Sequence, residues 1–281
     1  MYCLTCIINE DQHEIASAIG INNNMGGCVE ESAGSANIKL IFYFENEDDA
    51  KNTAKSLTEI LSVNSTTEFA ENQDWNAKWK ESMEPAQIAD GVWVSPTWLE
   101  PPQQGLKAWI KIEPKMAFGT GHHETTRLAA QEIINRKNEI TGKSVLDIGT
   151  GSGILCFTAN LAGASLALGV EIDSCCLENL AENLRDNPPS HKSKVNFLIG
   201  GLSSLKAAAA FDAVIMNMLY SESVPLLGQV KSLSKKGTIL IWSGILAEEQ
   251  DDVIREALRF GFKLADCQTE NEWWRGTFHC F

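Results

Sequence analysis

Five apolar runs recur between residues 143 and 244: KSVLDIG, ALGVEID, KVNFLIG, FDAVIMN and GTILIWSG. Helical patterns or longer connections separate most of them. Continuous apolar runs of strand length need cover on both faces, so their alternation with helices indicates a parallel sheet between helical layers, an α/β doubly wound fold. The last stretch, FKLADCQTENEWWRGTFHCF, reads as two strands around a turn near Glu270 to Glu272. That predicts an antiparallel hairpin at the end of an otherwise parallel sheet.

Upstream the texture changes twice. Residues 1–67 read as a small α+β unit. YCLTCII and NIKLIFYF are strand-like, and DQHEIASAIG is helical with Asp11 as cap and Gly20 as stop. EDDAKNTAKSLTEIL carries Ala50, Ala54, Leu57 and Leu61 at helical spacing. The order predicts a βαββα(β) module of ferredoxin-like type without a catalytic cluster, a unit for binding or docking. Residues 68–99 read as a connector with one helix: DWNAKWKESMEP puts Trp75 and Trp79 on one helical face, and Pro85 ends or closely follows it. Residues 100–281 are then the α/β domain that carries the chemistry.

The chain is 281 residues long, 44% apolar and 21% charged, with a formal net charge of −14. That sign argues against a broad footprint on nucleic acid or an anionic membrane and suits a basic protein partner. No stretch approaches a membrane-spanning apolar length, and MYCLTCIINEDQHE lacks the basic start of a targeting segment. The eight cysteines are scattered, which fits a reduced cytoplasmic protein. Cys3 and Cys6 form C-x-x-C, but no second pair follows at zinc-finger spacing, and small buried residues are the better reading.

VLDIGTGSGIL sets Asp147, Gly149, Gly151 and Gly153 between a buried strand and a nearly all-apolar helix, Ile154 to Ala162. The glycines permit a tight turn and close approach of a ligand to the backbone, and the helix start presents unpaired N–H groups. A nicotinamide or flavin fingerprint requires glycine at position 154, where this chain has Ile154, and no Walker lysine follows. A carboxylate at Asp147 would repel a pyrophosphate, yet it suits a ligand carrying an ammonium and a sulfonium. D-x-G-x-G-x-G therefore favours S-adenosylmethionine, and a terminal antiparallel hairpin fits a methyltransferase better than a plain dinucleotide fold. Glu171 ends the next strand 22 positions after Gly149, where an acid can accept hydrogen bonds from both ribose hydroxyls. FDAVIMN ends in Asn217, at the strand edge where open sheets bind ligands. Its carbonyl can accept a hydrogen bond from an amine and aim the nitrogen lone pair at a methyl group. The other readings are a solvent-facing acid for Glu171 and a turn-forming amide for Asn217.

Taken in order, MAFGTGHHETT, VLDIGTGSGIL, GVEID, MNML, WSGILAEEQDDV and ENEWWRGTF resemble the PrmA family, the bacterial methyltransferases of ribosomal large-subunit protein eleven. DWNAKWKESMEP is similar to that family's linker. The resemblance covers about Asp74 to the C-terminus, and the first module only in outline. It implies a loop over the cofactor, A-F-G-T-G-T-H-P-T-T, which Phe118, Gly119, Thr120, Gly121, His123, Thr125 and Thr126 match. His122 stands in place of threonine and Glu124 in place of proline. Carried over by residue, the implied contacts are Thr126, Gly149, Glu171 (for the usual aspartate) and Asn217, with Met218 replacing isoleucine in N-I-L. Phe118, Gly119, Thr120, Asp147, Gly151 and Gly153 complete the cofactor-binding candidates. No metal is expected, because a zinc site from His122, His123 and Glu124 would need three consecutive residues to converge on one ion.

The resemblance implies a cytoplasmic protein N-methyltransferase that modifies several amino groups of that ribosomal protein, lysines and the N-terminus, each repeatedly. The first module would hold the substrate. The expected reaction is direct displacement by an amine nitrogen in line with the departing sulfur. Deprotonating a lysine of pKa near 10.4 costs roughly 4–5 kcal/mol at pH 7; the cofactor's positive charge and desolvation both push that proton off. Asn217 aligns the amine as the catalytic residue but cannot take its proton, and no histidine is clearly placed as general base. Open alternatives are an amine methyltransferase acting on another protein or a small molecule, and a non-catalytic S-adenosylmethionine-binding protein that docks on ribosomal components. An oxidoreductase is a third class, which would have to bind a nicotinamide cofactor.

Overall fold

Leu4, Cys6 and Ile8 of β1 (Tyr2–Asn9) are buried, whereas Cys3, Thr5 and Ile7 point to the opposite face. The computed structural model describes residues 1–32, 37–69, 83–115, 119–205 and 210–281, in two compact units, Met1–Met83 and Glu84–Phe281. In the first unit β1 pairs antiparallel with β3 (Asn37–Phe44) and β4 (Ser65–Phe69), and β2 (Gly27–Ser32) pairs with β3. The sheet order is β2-β3-β1-β4. Helices α1 (His13–Asn22) and α2 (Glu47–Leu61) bury Ala16, Ile19, Ala50 and Leu57 against Leu4, Leu40, Phe42 and Phe44. Three acids, Glu47, Asp48 and Asp49, open α2 and complement its dipole.

Two sequence expectations are corrected in this unit. Gln12, not Asp11, occupies the cap position of α1, and the helix runs through Gly20 to Asn22. Gly20 serves close packing instead: a Cβ there would lie 2.7 Å from Met25 Sδ and 3.0 Å from the Phe42 ring. Cys3 and Cys6 fall on opposite faces of β1, so they cannot grip one ion. Trp75, Trp79 and the helix expected around them lie outside the described residues.

The second unit begins with β5 (Ala86–Ala89) and β6 (Val92–Ser95), which form a three-stranded sheet with β7 (Ala108–Lys111). Residues 84–99, read from the sequence as part of a connector, thus belong to this unit, with Ile88, Val92 and Val94 in its core. Helix α3 (Glu124–Asn135) leads into β8 (Ser144–Ile148), α4 (Ile154–Leu161), β9 (Leu166–Glu171), α5 (Leu177–Asp186) and β10 (Lys194–Ile199). Next come β11 (Phe211–Asn217), α6 (Leu227–Ser232), β12 (Ser234–Leu246), α7 (Gln250–Arg259), β13 (Phe262–Glu270) and β14 (Trp273–Cys280).

The large sheet has the order β10-β9-β8-β11-β12-β14-β13. Its first five strands are parallel, and β14 runs antiparallel to both β12 and β13. The expected terminal hairpin is present, turning at Asn271 with φ 52°. Alternate residues of one strand feed two cores. Val145, Ile215 and Ile241 meet α3 and α4, while Leu146, Met216 and Trp242 meet α6 and α7. Each such fully buried side chain contributes about 1.5–3 kcal/mol, against about 0–1 kcal/mol for an exposed ion pair, so these two cores set the architecture. Strand order reverses between β8 and β11, the switch point where a crevice opens at the carboxyl ends of the strands. Among the described residues no helix is long and apolar enough to cross a membrane.

Candidate functional site

A cavity of about 650 Å³ opens at that switch point, a size that suits a small-molecule ligand. Its floor is the turn between β8 and α4. Gly149, Gly151 and Gly153 all have positive φ, at 68°, 53° and 84°, a region that L-residues with a Cβ avoid. At Gly153 a Cβ would also lie 2.7 Å from the Phe197 ring. The turn is fastened to β9, since the Gly149 and Thr150 N–H groups donate to the Val170 carbonyl at 2.9 and 3.1 Å.

Glu171, at the end of β9, borders the cavity. Its Oε2 accepts from the Gly151 N–H at 3.0 Å and its Oε1 from the Asp173 N–H at 3.1 Å. A carboxylate has about four acceptor sites, so capacity remains for two hydroxyl donors. Asp173 and Glu222 also line the cavity, and no lysine or arginine does among the described residues. Walls of that charge favour a cationic ligand and repel a pyrophosphate.

Asn217 stands at the end of β11 on the same cavity. Its Nδ2 donates to Thr126 Oγ1 at 3.4 Å, while its Oδ1 is buried with no hydrogen-bond partner among the described residues. A buried acceptor left unpaired costs about 1–3 kcal/mol, so this atom calls for a donor arriving with a ligand. His123, also on the cavity, caps α3, accepting from the Thr125 N–H at 3.3 Å, and packs edge-on against Trp273 with ring centroids 4.9 Å apart.

Gly149, Gly151, Glu171 and Asn217 are thus brought together on the cavity, with His123, Thr125 and Met218 beside them, whereas Gly119, Thr120, Thr126, Asp147 and Gly153 are not among its lining residues. Asp147 lies beneath the glycine turn. It is 1% exposed, and its Oδ2 accepts from Thr150 Oγ1 at 2.6 Å and from Cys156 Sγ at 3.6 Å. Burial pushes its carboxyl up to about 6, against those two hydrogen bonds, with the Glu171 charge adding to the rise. Thr126 is fully buried, and its Oγ1 accepts from Asn217 Nδ2. Gly119 and Thr120 lie outside the lining; the Gly119 carbonyl accepts from Ser152 Oγ at 2.7 Å. Phe118 lies outside the described residues. His122 and His123 take separate partners, His122 Nε2 lying 2.9 Å from the Glu84 carbonyl. Among the described residues no group of three metal-ligating side chains gathers. Glu124, at the proline position of the resembling loop, accepts from Asn271 Nδ2 at 3.0 Å, tying α3 to the hairpin turn.

Sequence reasoning missed Trp273, Asp173, Glu222 and Gly244 as lining residues. One signal was available: Gly244 interrupts an apolar strand, which marks a close backbone approach. A Cβ there would lie 2.6 Å from the Met218 backbone, and Met218 N–H donates to the Ser243 carbonyl at 3.1 Å.

Known proteins resemble this chain in sequence and fold. The ribosomal protein L11 methyltransferase of Fusobacterium nucleatum is 31% identical over 249 residues, covering 87% of this chain and 79% of that protein. Its namesake from Pelobacter propionicus is 29% identical over 301 residues, covering 96% and 94%. The solved ribosomal protein L11 methylase of Lactobacillus delbrueckii subsp. bulgaricus shares the fold, with a TM-score of 0.62 at 23% identity over 71% of this chain and all of that one. The family model described as Ribosomal protein L11 methyltransferase (PrmA) matches residues 4–279. On this match, and on its relatives, the chain belongs to the ribosomal protein L11 methyltransferase (PrmA) family.

Proposed function

We propose that the acceptors are amino groups of ribosomal protein L11, lysine side chains and the N-terminal amine, and that Asn217 aims each of them for methylation. Membership of the family makes the chain an S-adenosylmethionine-dependent protein methyltransferase with L11 as its substrate. The observation that carries the amine reading is the buried Oδ1 of Asn217, which has no hydrogen-bond partner among the described residues.

S-adenosylmethionine, when bound, supplies a methyl group already activated by its sulfonium. The residues present fit it. Gly149 and Gly151 let the backbone approach closely, Glu171 offers lone pairs to the ribose hydroxyls, and the carboxylates of Asp173 and Glu222 favour positive charge. Asn217 Oδ1 accepts one N–H of the neutral amine, which fixes the direction of the nitrogen lone pair, and Thr126 holds the amide in that orientation. The same acidic walls disfavour the oxidoreductase alternative, because a nicotinamide cofactor would set its pyrophosphate among carboxylates. The N-terminal unit is assigned to holding the protein substrate, and the location that goes with this substrate is the cytoplasm.

Asn217→Ala tests the assignment. Turnover should fall about 100-fold or more, the scale of losing one oriented hydrogen bond at a reacting centre. Affinity for S-adenosylhomocysteine, measured by calorimetry, should stay within about threefold. Unchanged turnover would remove Asn217 from the reaction.

A further inference from the structure

Asn179, Asn183 and Asn187 lie four residues apart on α5 and at its C-terminal cap. All three side chains are spent on the backbone of the extended segment that leaves β7. Asn187 Oδ1 accepts from the Lys111 N–H at 2.8 Å and its Nδ2 donates to the Lys111 carbonyl at 2.6 Å. Asn183 Oδ1 accepts from the Glu113 N–H at 2.9 Å, and Asn179 Nδ2 donates to the Glu113 carbonyl at 2.9 Å. Residues two apart in an extended chain present these groups on one side. The amides therefore stand where a neighbouring strand would, while Ile112 N–H bonds to the Ser95 carbonyl on the other side at 3.1 Å.

Asn183 does more than close this edge. Its Nδ2 donates to the Ser152 carbonyl at 2.9 Å, inside the glycine turn, and the residue is fully buried. Ser152, 1% exposed, then donates its hydroxyl to the Gly119 carbonyl at 2.7 Å. One serine of the glycine turn is thus bonded directly to Gly119 and, through Asn183, to Glu113. Asparagine is a weaker helix former than leucine or alanine, and a buried polar network is often replaceable by apolar packing. What this network uniquely fixes is the position of the turn that carries Gly149 and Gly151.

We infer that Asn183 and Ser152 are positioning residues for cofactor binding, a two-residue clasp that holds the glycine turn against Glu113 and Gly119. The inference rests on the cavity being the S-adenosylmethionine site. Calorimetric titration with S-adenosylhomocysteine tests it on the full chain. Ser152→Ala and Asn183→Ser should each weaken binding about tenfold, the scale of one buried hydrogen bond. KM for S-adenosylmethionine should rise in step while KM for L11 stays within twofold. The double variant should lose little more than the worse single one, because both cut the same circuit. Asn187→Ala, which touches neither Ser152 nor Gly119, is the control for mere structure: it should lower the melting temperature and leave affinity within about twofold. Wild-type affinity in a folded Ser152→Ala protein, a smaller change than Asn183→Ser and less prone to misfolding, overturns the inference. So do strictly additive losses. If the wild type itself binds no S-adenosylhomocysteine, the reading of the cavity falls first.

Discussion

At the residue scale two carboxylates beneath one ligand site have opposite tasks, set by their surroundings. Glu171 borders the cavity and holds the Gly151 N–H, so it braces the turn and is proposed to meet the ligand as well. Glu171→Ala should weaken S-adenosylhomocysteine binding by about 1.5–3 kcal/mol, the range for hydrogen bonds to a charged group, with Glu171→Gln between it and the wild type. Calorimetry would show instead equal affinity in all three proteins if the acid merely faced solvent. Asp147 is sealed under the turn. Its carboxyl keeps a proton up to about 6 in the folded chain, against 3.8 ordinarily. The folded state therefore binds the extra proton between those values, and stability falls as pH rises through that window, by on the order of 3 kcal/mol. Thermal melts of Asp147→Asn should show a flatter pH dependence between about pH 4 and 6 than the wild type; superimposable profiles would contradict the assignment. The places of both acids along their strands are legible from spacing alone. Where the Asp147 carboxyl turns is not, because Thr150 and Cys156 meet it only once the turn has folded.

Elements differ in how clearly the sequence announces them. NIKLIFYF and EDDAKNTAKSLTEIL coincide with β3 and α2 to the residue, since each carries a full period pattern over its length. β5 and β6 have four residues each, too few to show a period, and so their sequence reads as part of a connector. The β14 interior held another surprise. Arg275 is 1% exposed and pairs with Glu132 of α3 at 3.2 Å and with Asp266 of β13 at 2.8 Å. Nothing in ENEWWRGTF distinguishes a buried arginine from the usual exposed one. This pair ties α3, whose first turn positions Thr126 and His123, to the terminal hairpin. Glu132→Ala would leave Arg275 short of its buried partner and should cost about 3 kcal/mol or more, read as a lower urea midpoint. A loss under about 1 kcal/mol would mean that Asp266 alone satisfies the arginine.

Over the whole molecule, charge and topology point the same way. A chain of net charge −14 carries a cavity walled by Glu171, Asp173 and Glu222 at the switch point of a seven-stranded sheet. The sheet places the crevice, and acids on its wall favour positive charge. Asn217 adds a buried Oδ1 that has no hydrogen-bond partner among the described residues. The most direct test is transfer of label from methyl-radiolabelled S-adenosylmethionine to purified unmethylated L11, mapped by peptide mass spectrometry. Label should sit on lysine side chains and the N-terminal amine in the wild type, and be nearly absent with Asn217→Ala. Label on oxygen or carbon atoms, or on a small amine while L11 stays blank, would contradict it.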